Sequence, residues 1–196
     1  MQGKPVAAVY REGLQKKLAT AKKQGQQITL AILTVGDDAA SHIYRDRLAK
    51  ATEAVGATVR QVNLPASATQ DQVLEELRAL NADPDITGIL PMMPLPQQIN
   101  ERSVCAALAP EKDLDCLQPA NCGLLYLGQS KWGPCTPRAC LAILDYYQVD
   151  VAGKHVVVIG RSNVVGKPVA LLLLQRNATV TICHSKTANL SAIIQS

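Results

Sequence analysis

The stretch Gly160-Arg-Ser-Asn-Val-Val-Gly166 has residue types suited to holding an anion. It follows the apolar run His155–Ile159, which reads as a strand, and leads into the helical pattern Val164–Gln175. A glycine-bearing bend from strand to helix exposes backbone N–H groups at a helix N-terminus, where a phosphate binds well. The bend is not a P-loop: its glycines are one residue too far apart, and Pro168 stands where the magnesium-binding hydroxyl belongs. It is not GxGxxG either, so by itself it suits a dinucleotide or a plain structural turn. The next strand pattern, Ala178–Cys183, ends about 20 residues past the glycines, where NAD-selective sites keep an acidic residue for the ribose hydroxyls. This chain has His184-Ser185-Lys186 there, and Arg161 in the first turn. Such groups attract a 2′-phosphate, which favours NADP over NAD; the alternative is that His184 and Lys186 only decorate a loop. The three histidines and six cysteines show neither HExxH nor CxxC, so no metal site is expected, and the cysteines are expected to be reduced, buried small hydrophobes.

These residues need a frame, and the apolar periodicity supplies one. Helical patterns cover Pro5–Lys23, Ala39–Val55, Thr69–Leu80, Arg102–Leu108, Thr136–Tyr147, Val164–Gln175 and Asn189–Gln195. Strand patterns cover Ile28–Val35, Ala57–Leu64, Ile86–Leu90, His155–Ile159 and Ala178–Cys183, and the stretch up to Pro134 reads as irregular. Strands alternating with helices give an α/β fold with parallel sheets. A composition change near Val149 places a domain boundary there, with 1–148 as an N-terminal domain and 149–196 as the start of a second. Two strands cannot bury both faces of a parallel sheet, so the second domain is expected to be truncated and the chain a fragment.

Composition narrows the classes. The 196 residues are 47% hydrophobic and 18% charged, which fits a packed core and excludes disorder. Five Tyr, one Trp and no Phe make that core aliphatic and leave no platform for stacking bases. Arg11, Lys16, Lys17, Lys22 and Lys23 fall at helical spacing and read as a solvated face, not a nucleic-acid patch. No apolar run approaches the roughly 18 residues of a membrane span, and no export signal opens the chain.

Six stretches in order (Val35–Tyr44, Pro94-Leu-Pro96, Pro110–Asp115, Pro134-Cys-Thr-Pro137, Gly160–Pro168 and Ala178–Leu190) together resemble the methylenetetrahydrofolate dehydrogenase/cyclohydrolase family. The resemblance runs from about Leu30 to the last residue. It implies an N-terminal α/β folate-binding domain, a Rossmann-like NADP-binding domain, a cleft between them for folate, and a cytoplasmic homodimer working in one-carbon metabolism and purine biosynthesis. It assigns Tyr44 to stacking on the folate and Asp115 to the pterin amino group and ring N–H, as the catalytic pair. Leu48, Met92 and Pro94 fall at further substrate-binding positions; Gly160, Arg161, Ser162, Gly166 and Ser185 fall at cofactor positions.

Two positions depart from the family. Its proton-handling Lys, four residues after the Tyr, is here Leu48, and the Gln that tunes that Lys is here Met92. Arg47 lies on the correct side of the helix but stays protonated, while Lys50 is turned about 240° away from Tyr44. Hydride transfer needs no obligatory side-chain base, whereas hydrolysis of a methenyl group must activate water. The expected activity is therefore an NADP-dependent dehydrogenase whose cyclohydrolase step is weak or lost. A bifunctional enzyme and a non-catalytic folate- or nucleotide-binding remnant are the competing readings.

Overall fold

The structure is a computed structural model that describes residues 1–195. It contains two compact units, Ala7–Pro119 and a second made of Met1–Val6 with the chain from Ala120 onward.

In the Ala7–Pro119 unit, β1 (Thr29–Val35), β2 (Thr58–Leu64) and β3 (Gly88–Pro91) form a parallel sheet in the order β2-β1-β3. The central strand β1 is a continuous apolar run, and Ala31, Ile32 and Leu33 are wholly buried. Edge strand β2 instead mixes exposed and half-buried residues, Val59 packing on the α2 side and Val62 and Leu64 on the α3 side. Residues Ala31, Leu33 and Val35 pack with Val73, Leu77 and Leu80 of α3 (Gln70–Ala82) and with Val104 of α4 (Glu101–Ala107). On the opposite face, Leu30 and Ile32 pack with Leu48 and Ala49 of α2 (Ala39–Ala54).

Caps fix where these helices start. Asp38 accepts the Ser41 N–H at 2.7 Å to begin α2, Thr69 and Gln72 close a capping box on α3, and Asn100 caps α4. The helix α1 (Gly3–Lys23) is exposed along most of its length. Tyr147 pins the chain's first residues within the second unit, its hydroxyl accepting from Gln2 N and donating to Gln2 O at 3.1 Å each.

The second unit holds parallel strands β4 (His155–Ile159) and β5 (Thr179–Cys183), joined by α7 (Gly166–Gln175). Its core is Leu141, Val151, Leu173 and Ala178, with Leu144, Val156, Val158 and Val180 packed around it. Three findings differ from the sequence expectation. A helix α5 (Pro119–Tyr126) occupies part of the stretch read as irregular. Its residues include Gly123, Asn121 and Cys122, which dilute the apolar period that marks a helix.

The units also part at Pro119–Ala120, not at Val149. Leu141 and Leu144 of α6 (Cys135–Tyr146) pack with Leu173, and Gln175 donates to the Leu125 carbonyl of α5 at 2.9 Å. Helices α5 and α6 thus belong with the second sheet; the composition change marks where a βαβ begins, not where packing ends. Finally, the cysteines are unbridged but mostly not buried. Only Cys116 and Cys183 are in the interior, while Cys122, Cys135 and Cys140 are exposed, because their helices turn those positions outward.

Candidate functional site

The turn from β1 into α2 places the first group of residues. Gly36, at φ 88°, allows the reversal, and the His42 ring is held at 3.0 Å from the Gly36 carbonyl. The Ser41 N–H beside Asp38 keeps its carboxyl below the ordinary carboxylate range. A lowered folded-state pKa means stabilisation that is present above the ordinary value and lost as pH falls through the lowered one. An Asp38→Ala variant is accordingly expected to lower Tm near about pH 7, and the difference from the parent should shrink toward about pH 2. A difference unchanged by acid would show that the carboxylate does not cap α2.

Tyr44 lies one turn into α2 and is 57% exposed. One turn further, Leu48 enters a small cluster with Ile32, Ala49 and Met92. Met92 reaches it because its N–H bonds the Leu33 carbonyl at 2.8 Å, which extends the β3 pairing past Pro91. Leu48 and Met92 therefore belong to one apolar contact group. Arg47 and Lys50 are exposed, whereas Arg45 donates to Asp46 and Asn63 at 2.9 Å each. Thr34, on the same face of β1 as Ile32, is 2% exposed, and its hydroxyl has no hydrogen-bond partner. Ser41 Oγ lies 3.5 Å from the Met93 carbonyl, just before the exposed Pro94.

Asp115 sits on a strap beside β3. The Lys112 carbonyl accepts the Ile89 N–H at 2.7 Å, and Asp113 forms a parallel bridge to Ile89. The Asp113 carboxylate is 1% exposed and accepts from Leu117 N and Gln118 N, both at 3.0 Å. Asp115, two residues on, is half-buried. Sequence reasoning assigned Asp115 and left Lys112, Ser41 and Thr34 without a role. The signal for Ser41 and Lys112 was their place in the Val35–Tyr44 and Pro110–Asp115 stretches; Thr34 carried none, since its significance lies in the face it shares with Ile32.

The second unit presents the glycine turn at the carboxyl edge of its sheet. Gly160 N–H bonds the Cys183 carbonyl at 2.7 Å, which sets the residues after β4 beside those after β5. Ser162 Oγ accepts from Val165 N at 3.1 Å and Gly166 N at 3.2 Å, leaving its own hydrogen to donate. A Cβ on Gly166 would overlap the Gly160 carbonyl, so the turn closes onto a position that only glycine fits. Past β5, His184 N–H donates to Thr187 Oγ1 at 2.8 Å, and Lys186 N–H donates to His184 Nδ1 at 3.2 Å. Arg161, Ser185 and Lys186 are exposed at this edge. Backbone approach without Cβ hindrance, a hydroxyl donor and cationic side chains together fit a phosphorylated dinucleotide. Among the described residues, no three His, Cys, Asp or Glu side chains gather as a metal set.

Comparison with known proteins agrees with both halves. Residues 1–115 match the tetrahydrofolate dehydrogenase/cyclohydrolase catalytic domain, and residues 134–196 match the NAD(P)-binding domain of the same group. The chain is 41% identical over 196 residues to the "Bifunctional protein FolD" of Ruminiclostridium cellulolyticum, covering all of this chain and 69% of that protein. It superposes on the FolD dehydrogenase/cyclohydrolase of Campylobacter jejuni with a TM-score of 0.95 at 38% identity, covering 97% of this chain and 68% of that one. The Trypanosoma brucei enzyme, solved with NADP cofactor and an inhibitor, gives 0.95 at 33% identity, over 100% and 68% of the two chains. With its strands, its glycine turn and its Pro110–Asp115 strap all accounted for, this chain belongs to the tetrahydrofolate dehydrogenase/cyclohydrolase family.

Proposed function

We propose that this chain catalyses NADP-dependent oxidation of methylenetetrahydrofolate to methenyltetrahydrofolate, with little or no hydrolysis of the product to formyltetrahydrofolate. The observation that carries the second clause is the packing of half-buried Leu48 against the apolar cluster of Ile32, Ala49 and Met92. When bound, NADP accepts a hydride from the methylene carbon, and that step requires no proton transfer to a side chain. The protein's share is to bind and orient. Tyr44 offers its ring to the folate, with Leu48, Met92 and Pro94 as apolar lining, and Asp115 accepts two N–H donors from the pterin side by side. Gly160, Arg161, Ser162, Gly166 and Ser185 form the cofactor turn; Arg161 and Lys186 supply the charge that selects a 2′-phosphate.

Folate recognition is assigned to the Ala7–Pro119 unit and cofactor recognition to the unit that holds β4 and β5. By family resemblance, the protein is taken as a cytoplasmic homodimer in one-carbon metabolism that supports purine biosynthesis and engages neither nucleic acid nor membrane. No helix among the described residues is long and apolar enough to cross a membrane.

The test is to follow methenyltetrahydrofolate by its absorbance with NADP as oxidant. Its accumulation without decay beyond the spontaneous rate is the expected result; enzymatic decay would restore the bifunctional reading, and no formation would favour the binding remnant. Asp115→Ala is expected to weaken tetrahydrofolate affinity by about 100-fold, as loss of paired charge-assisted bonds should. Unchanged affinity by calorimetry would remove Asp115 from the site.

A further inference from the structure

Lys112 makes an unusual set of contacts for a lysine. Its ammonium donates to three backbone carbonyls, Leu80 at 3.2 Å, Asn81 at 2.7 Å and Asp83 at 2.6 Å. Those carbonyls lie at the C-terminal end of α3, where the last turn has no intrahelical donors to offer them. An ammonium carries three donors, so this arrangement uses its full capacity, and the positive charge meets the negative end of the helix dipole. The neighbouring Asn81 side chain reinforces the junction, donating to the Ala107 carbonyl at 2.7 Å and accepting from Ala109 N at 2.9 Å. The end of α3 is thereby a mooring for the whole segment that leads from α4 to Asp115.

The other side of that segment is equally constrained. The Lys112 carbonyl is paired with Ile89 of β3, and Leu114 covers Gly88 so closely that a Cβ there would overlap the Leu114 side chain. Asp113 gathers the Leu117 and Gln118 N–H groups beneath Asp115. The backbone that presents Asp115 is thus held between a helix end and a strand, and Lys112 bonds to both: α3 through its side chain and β3 through its carbonyl.

We propose that Lys112 is a positioning residue for folate binding, setting the height and orientation at which Asp115 meets the pterin. This rests on the reading of Asp115 as the pterin anchor. A bidentate contact tolerates little displacement, so losing the mooring costs folate affinity and leaves the cofactor turn, in the other unit, untouched.

The experiment uses the complete chain and measures Kd for 5-formyltetrahydrofolate and, separately, for NADP, together with amide exchange at Leu117 and Gln118. Lys112→Met keeps the aliphatic stem and removes the donors; it is expected to raise the folate Kd about tenfold, to leave the NADP Kd unchanged and to speed exchange at both amides. Lys112→Arg keeps the charge but offers a planar fork in place of a tetrahedral set, and should fall between, at about threefold. It carries the test alone if the Met variant does not fold. A parental folate Kd in either folded variant, where Asp115→Ala loses binding, overturns the proposal. If Asp115→Ala itself binds folate normally, the anchor reading fails, and the role of Lys112 falls with it.

Discussion

The double variant Leu48→Lys/Met92→Gln is expected to hydrolyse methenyltetrahydrofolate at least about tenfold faster than the parent chain, a modest share of what general acid–base groups contribute in evolved sites. Met92 belongs to the cluster against which Leu48 packs, so both replacements enter the same small region. A lysine placed there alone faces Ile32 and Met92 and has little to hydrogen-bond; burial lowers its pKa and costs about 2 kcal/mol or more of stability. A glutamine at position 92 gives that amine a carbonyl to donate to. The single Leu48→Lys variant should accordingly be less stable than the double and gain less activity. Rate, Tm and folate Kd measured on all three variants separate the possibilities. A folded double variant that binds folate and hydrolyses no faster would show that some other feature limits the second reaction.

The second large effect is expected from Gly166→Ala. The added methyl would overlap the carbonyl of Gly160 and stand 2.8 Å from Arg161 N, and these are backbone atoms that cannot rotate aside. The turn must open, which undoes the two N–H bonds to Ser162 Oγ and shifts the first turn of α7. NADP affinity should fall by about 100-fold or more, since the loss includes both the donors and the close approach of the backbone. Folate binding in the Ala7–Pro119 unit should persist, and that asymmetry is what calorimetry with each ligand would reveal. Gly160 is a useful contrast. It sits at φ 130° with open space around its Cβ position, so its replacement costs backbone strain without a collision. NADP binding retained at parental strength in Gly166→Ala would exclude this turn as the phosphate site.

How far these features could be read beforehand depended on the range of the interactions behind them. The central strand β1, the turn at Gly36 and the bend at Gly160–Gly166 are written in contiguous residues, and periodicity located them to within a residue or two. The sequence singles out Leu48 and Met92 but not their shared cluster, because that requires the β3 register that carries Met92 onto the Ile32 face. Helix α5 was missed for want of an apolar period, and the unit boundary because α6 finds its partner Leu173 only after the chain has built β4. The role of Lys112 was hidden for the same reason: the residue lies in the Pro110–Asp115 stretch, but its partners Leu80, Asn81 and Asp83 lie about 30 positions earlier, with nothing local to mark them.

Thr34 puts one polar atom on the Ile32 face of β1. Its hydroxyl has already lost its contact with water and received nothing in exchange, so the cost of dehydrating one polar group on this face is borne in the parent chain. A polar side chain introduced within reach of that hydroxyl would recover part of this cost, and one out of its reach would add to it.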